Sequence, residues 1–153
     1  MDTANYIALG VVVVLVAFVG FLAERRRPSF GSTDTEAIRD AIARQIGAFL
    51  TDNASVAFAH AAPRIQHKYR NGQAFLEAVS KAYLPIYRPL AYRFGELVKS
   101  HTGPTQMVHV TGPHGKDWIV SCFMEKQPDT AWKIAGFHVR RAPERDAVAA
   151  EAA

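Results

Sequence analysis

The residue best placed by type and spacing to do chemistry is His138. It lies six positions after Trp132 in the run from Ala131 to Arg140. In a strand an even separation puts both side chains on one face, with Ile134 and Gly136. If Trp132 points into an interior, His138 follows it there. An imidazole, which titrates near neutral pH, would then serve as a pocket acid or base. The competing reading is a hydrogen-bonded core or rim histidine. Tyr83, Tyr87 and Arg88 flank Pro85 and Pro89. They would form a rigid rim offering hydroxyls and a guanidinium to a polar or anionic ligand. Alternatively the tyrosines pack a helix on a sheet and Arg88 pairs with a carboxylate or carbonyl. Tyr83, Tyr87, Arg88, Trp132 and His138 are therefore the candidate ligand-binding residues, and His138 is the catalytic candidate.

Other reactive residue types lack a chemical pattern. His60 and His67 are separated by Pro63, and His109 and His114 fall on a strand and in a loop. None has metalloprotease or paired-cysteine spacing, so no metal and no cofactor is expected. The Gly112-Pro113-His114-Gly115-Lys116 run lacks the spacing and following Ser or Thr of a phosphate loop and reads as a hairpin turn. Cys122 is the one cysteine, so no intramolecular disulfide is possible. Its apolar surroundings suit packing rather than nucleophilic catalysis.

The elements that must position these residues change type along the chain. Thr33-Asp34-Thr35-Glu36 has the form of a capping box opening a helix to about Thr51. Ile38, Ile42, Ile46, Phe49 and Leu50 form its apolar stripe, with Arg39, Asp40, Arg44 and Gln45 mostly off it. Asp52-Asn53 stops this helix and caps a shorter one, residues 54–62, which Pro63 ends; residues 64–69 suit one more helical turn. Asn71-Gly72 is a turn, and a helix follows from Gln73 to Leu84 with Phe75, Leu76, Val79, Ala82 and Tyr83 inward. Pro85 and Pro89 predict an extended segment over residues 83–89. Beyond Pro89 the period becomes two. Leu90, Tyr92 and Phe94 alternate with Ala91, Arg93 and Gly95, predicting strands over about 90–99, 105–111, 117–126 and 131–140. Helices followed by an antiparallel meander make an α+β domain, a sheet wrapping a helix.

The stretch from Tyr6 to Ala23 reads YIALGVVVVLVAFVGFLA and carries no charge. Its length suits a bilayer core at about 1.5 Å rise per residue. A cleaved signal would want basic residues ahead of it and a small residue where Phe21 stands, so an uncleaved single-pass anchor in the inner membrane is expected. Arg25, Arg26 and Arg27 follow it, and the positive-inside rule then places the soluble domain in the cytoplasm. The alternative topology exports that domain to the periplasm. The expected division is an anchor with its basic flank over residues 1–27, a linker over 28–33, a domain over 34–141 and a tail over 142–153.

The 153 residues carry a net charge of +4, a pI near 9.4 and a mean hydropathy of −0.04. Between Arg64 and Lys99, seven basic residues stand against Glu77 and Glu96 alone. A basic surface beside anionic headgroups accounts for this. No recognised motif supports nucleic acid as the partner.

The long first helix, the Asp52-Asn53 helix start, the Phe75-Leu76 helix and the strand Trp132-Lys133-Ile134-Ala135-Gly136-Phe137 resemble the nuclear-transport-factor-2-like superfamily of α+β cones, also called SnoaL-like or cystatin-like. The Tyr-x-Pro-x-Tyr-Arg-Pro stretch, residues 83–89, resembles more narrowly a bacterial family of unknown function within it. The resemblance covers about residues 34–141. It implies about three helices packed on a curved four-stranded antiparallel sheet, with a pocket between them. It implies no particular reaction, since the fold hosts catalysis, ligand binding and protein assembly alike, and no catalytic set of the superfamily matches residue by residue. The expected function is a membrane-anchored, non-enzymatic binding or assembly module. Its partners would be the lipid bilayer through residues 6–23 and a membrane protein or a second copy. The alternative is a small-molecule binder or acid–base enzyme using His138. A cavity where His138 meets a carboxylate would favour chemistry, and an interior filled by Phe and Trp a structural module.

Overall fold

A computed structural model describes residues 30–143. The expected anchor at residues 6–23, its arginine flank and most of the expected tail lie outside the described residues. Among the described residues no helix is long and apolar enough to cross a membrane. The described residues form an α+β fold, with five helices followed by four strands. Two more helices form than the resemblance implies, because Pro63 and Pro85 each sit in the first turn of a short helix. A proline there sacrifices no intrahelical hydrogen bond.

Helix α1, Ser32–Leu50, starts one residue before the expected capping box, and no side chain caps it. The Thr35 hydroxyl instead donates to the Gly31 carbonyl at 3.1 Å. Asp34 is drawn away from the helix start. Its Oδ1 accepts from Lys126 Nζ at 2.9 Å and from the Trp132 indole at 3.1 Å, tying the first turn to the sheet. Ile38, Ile42, Ile46 and Phe49 are buried as expected, but Leu50 is 48% exposed and Gln45 only 1%. Gln45 stands seven residues after Ile38, on the same face, whereas Leu50 lies about a third of a turn away from the stripe's centre.

Helix α2, Ala54–Ala59, is capped by Asn53, whose side chain accepts from the Val56 N–H. It stops earlier than its composition suggests. The residues after it pair with the last strand: Ile134 N donates to His60 O at 2.9 Å, and Ala62 N to Ile134 O at 2.8 Å. Pro63 then opens α3, Pro63–Tyr69, rather than closing α2. Helix α4, Gly72–Ala82, is capped by Asn71 and buries Phe75, Leu76 and Val79; Ala82 is exposed. The segment expected to be extended contains α5, Leu84–Tyr87. The two prolines permit it because Pro85 lies at its start and Pro89 beyond its end.

The strands are β1 Ala91–Ser100, β2 Gly103–Thr111, β3 Asp117–Lys126 and β4 Trp132–Arg141, antiparallel in the order β1-β2-β3-β4. Leu90 precedes β1 and is 67% exposed, so the expected inward set begins later, at Phe94. Two bulges interrupt the ladder, one between Phe94 and Leu97 and one opposite the Phe123–Met124 step. A bulge adds one residue to one strand, bends it and shifts the alternation of its faces.

One sheet face is covered by helices. Ile38, Ile42 and Ile46 of α1 and Ile86 of α5 pack on Val108, Val110, Val120, Cys122, Met124, Trp132 and Ile134. A second cluster joins Phe49, Ala57, Phe75, Leu76, Val79 and Tyr87, with Phe137 against both clusters. Phe49 sits amid Phe75, Tyr87 and Phe137, ring centroids 5.6–6.4 Å away. The space between helices and sheet is thus largely filled by aliphatic and aromatic side chains.

Candidate interaction face

The five expected site residues do not converge. Tyr87 is buried; its ring lies 5.6 Å from that of Phe49, and its hydroxyl donates to Asp52. Arg88 pairs with Asp52 at 2.6 Å, donates to the Phe49 carbonyl at the end of α1, and sits over the Tyr87 ring at 4.1 Å. Both side chains close the end of α1. Burial first, and then the hydrogen bond to Asp52, raise the pKa of the Tyr87 hydroxyl. The donors Tyr87 and Arg88 hold the Asp52 carboxyl below its ordinary value. Trp132 is 9% exposed and joins β4 to Asp34, with Lys126 over its ring at 5.5 Å. Tyr83 is half-buried, its ring 5.9 Å from that of Phe137.

His138 is exposed, and it does not share a face with Trp132. Phe123 pairs with Gly136 but Met124 pairs with Ile134, so Ala135 is an extra residue in β4. Before the bulge, Trp132 and Ile134 point into the core; after it, Phe137 and Val139 do. The one-residue slip sends Gly136 and His138 to the other side. The even spacing that made His138 a pocket candidate holds only in an uninterrupted strand.

Among the described residues, the face that receives His138 contributes nothing to either packed cluster. Register gives its rows. Met107 faces Ser121, which faces His138. Arg93 faces His109, then Ile119, then Arg140. Val98 faces Thr105, then Phe123, then Gly136. Met107, Ile119 and Phe123 are half-buried, while Arg93, His138 and Arg140 are exposed. The centre of this face is therefore apolar and one end is cationic.

At that end a cleft of about 350 Å³ is lined by Arg93, His109, Thr111, Asp117, Trp118 and Ile119, among others. The Asp117 carboxylate accepts from the Thr111 hydroxyl at 2.9 Å. The His109 ring fits against β1 because Gly95, in the bulge beside it, has no side chain; a Cβ there would lie 2.9 Å from His109 Nε2. Burial, and then the charges of Arg93 and Arg140, depress the His109 pKa. The end of the face thus has two fixed cations and an imidazole biased towards its neutral form. It suits carboxylates on a partner's surface better than proton transfer.

Met107, His109, Ile119 and Phe123 escape a reading by residue type because each resembles an ordinary strand position. Their common signal is cross-strand register, which one strand read alone does not carry. Among the described residues no group of three or more His, Cys, Asp or Glu side chains gathers in a way that could hold a metal ion. Cys122 is fully buried, and burial raises its thiol pKa.

No curated protein and no solved structure matches the chain. A family model described as "Domain of unknown function (DUF4864)" matches residues 31–147. The match takes in all nine described elements and the interaction face, and the chain belongs to the DUF4864 family.

Proposed function

We propose that this protein is a membrane-tethered, non-enzymatic binding module whose sheet face turned away from the described helices docks a partner protein. The carrying observation is that face: an apolar centre of Met107, Ile119 and Phe123, with Arg93 and Arg140 at one end. Its partner is a membrane-associated protein with an apolar patch edged by carboxylates, chosen by charge complementarity. The tether is the apolar stretch at residues 6–23 followed by Arg25–Arg27, in the inner membrane with the domain in the cytoplasm. The domain is a nuclear-transport-factor-2-like cone. Support for this comes from the helices-then-meander order and from helices gathered on one sheet face. The acid–base alternative loses its main support because His138 projects from the side away from the helices.

The test uses the full chain in its own membranes. A photo-crosslinking residue at position 107 should capture a membrane protein. Arg93→Glu with Arg140→Glu should abolish capture, and restoring carboxylate-to-lysine changes on that partner should recover it. Capture unaffected by these changes, or of a second copy of the chain alone, would overturn the reading. Orientation is tested by a reporter fused after Ala153 that is active only outside the cytoplasm; strong activity would reverse the assigned topology.

A further inference from the structure

Where α4 passes into α5, a cleft of about 340 Å³ opens beside the β2–β3 loop, on the helix-covered side of the sheet. Leu84 and Pro85 of α5, Pro113 of the loop and Trp118 of β3 give it apolar walls. Leu84 is 42% exposed, and Pro85, Pro113 and Trp118 are half-buried. Trp118 is held against two neighbours. A Cβ on Gly112 would lie 3.0 Å from its Nε1, so the loop backbone lies against the indole, and the Arg141 guanidinium sits over the ring at 5.2 Å. Water gains little from walls of this kind, whereas an apolar body laid on them removes their surface from water.

The rim is basic. Lys81, His114 and Lys116 line the cleft and are exposed, and no described residue lining it is acidic. The two carboxylates close to these residues in sequence are both engaged. Glu77 takes the Lys81 ammonium at 2.6 Å in an exposed pair along α4. Asp117 accepts from the Thr111 hydroxyl at 2.9 Å and lines the cleft of the docking face instead. Lys116 forms no ion pair among the described residues. Apolar walls with a few convergent polar groups are the usual make-up of a small-molecule site, and here those groups favour negative charge.

We propose that this cleft binds a small-molecule carboxylate with an apolar body, an aryl- or alkyl-alkanoate. The body packs on Leu84, Pro85, Pro113 and Trp118. The carboxylate stays at the rim, where the Lys116 and Lys81 ammonium groups meet it and His114 offers a ring N–H. The volume lies at the lower end for small-molecule sites, which suits one compact acid. The site is separate from the docking face. Trp118 borders both clefts, but Lys81, Leu84 and Pro85 do not line the cleft of that face.

Phenylpropanoate, phenylpropanamide and acetate separate the two requirements, offering body with charge, body alone and charge alone. Each is titrated at equal free concentration and low salt into the ¹⁵N-labelled full chain in a non-ionic detergent. The Trp118 indole N–H reads the site. The Trp132 indole is the internal control, because Trp132 begins β4 whereas Trp118 pairs with Arg141 at its far end; Trp118→Phe assigns the two signals. Phenylpropanoate should shift the Trp118 signal saturably and leave that of Trp132 in place. Phenylpropanamide should bind about fivefold more weakly, and acetate should give no saturable shift. Lys81→Gln with Lys116→Gln should bring acid and amide within twofold of each other, and both lysines are exposed, so the fold survives the change. No saturable shift with phenylpropanoate, equal binding of acid and amide by the wild-type chain, saturable binding of acetate, or a double variant that keeps the preference would each overturn the site.

Discussion

Arg88 and Asp52 stand thirty-six residues apart in sequence and form an ion pair with Nη2 and Oδ1 at 2.6 Å. Arg88 also donates to the Phe49 carbonyl in the last turn of α1, which accepts from the Asp52 N–H as well. The segment between α4 and β1 thereby closes the C-terminus of α1. Arg88→Met keeps much of the stem and removes the donors. It should cost about 1–2 kcal/mol, measured by urea unfolding. Asp52→Asn should cost less, because that carboxylate is largely exposed. A neutral Arg88→Met would show that the cap contributes nothing.

Gly72 begins α4, where an alanine would ordinarily favour the helix. Here a Cβ would lie 2.7 Å from the Ala54 carbonyl oxygen, which is backbone and belongs to α2. Gly72→Ala should therefore destabilise the domain, by about 1–3 kcal/mol. Thermal melting checks the sign, and a raised midpoint would mean that the two helices separate freely.

Burial, then Lys133 and Arg44, depress the His60 pKa, and burial, then Arg93 and Arg140, depress that of His109. Each imidazole binds its proton less readily folded than unfolded, where the value is 6.5. Their contribution to stability is complete above that value and is lost as pH falls from it through the lower folded values. Asp34 and Asp52 also have depressed pKa values, but their losses come only below 3.8. Urea midpoints should therefore decline as pH falls below 6.5. His109→Gln should flatten that decline; an unchanged slope in the variant would contradict the assignment.

Cys122 is fully buried in β3, and burial raises its thiol pKa. A thiolate-seeking reagent should label the native protein no faster than the domain opens, and at once in denaturant. Rapid native labelling would place the side chain at the surface.

Much of the architecture follows from local pattern. The Asn53 cap, the inward Ile38, Ile42 and Ile46, and the bounds of β3 are all predictable from residue type and spacing, whereas Asn71, read as a turn, caps the helix that begins at Gly72. The misplaced features share a cause. Asp34 sits in a capping-box sequence, yet its carboxylate bonds to Lys126 and Trp132, more than ninety residues away. Gln45 looks polar and exposed, yet position 45 falls on the buried stripe, and its amide finds the Ala57 carbonyl. Pro63 and Pro85 look like breakers and act as helix starters, because only the fold decides on which side of a proline a helix lies.

Taken alone, the sequence determined the α+β order, the Asn53 cap and the approximate bounds of the four strands, all set by interactions within a few residues. His138 shows what it left open. The alternation in β4 was legible, but the side to which His138 points was not. That depends on Ala135 standing unpaired between Gly136, opposite Phe123, and Ile134, opposite Met124. A bulge is a relation between two strands, so only the tertiary structure could place Trp132 in the core and His138 on the opposite face.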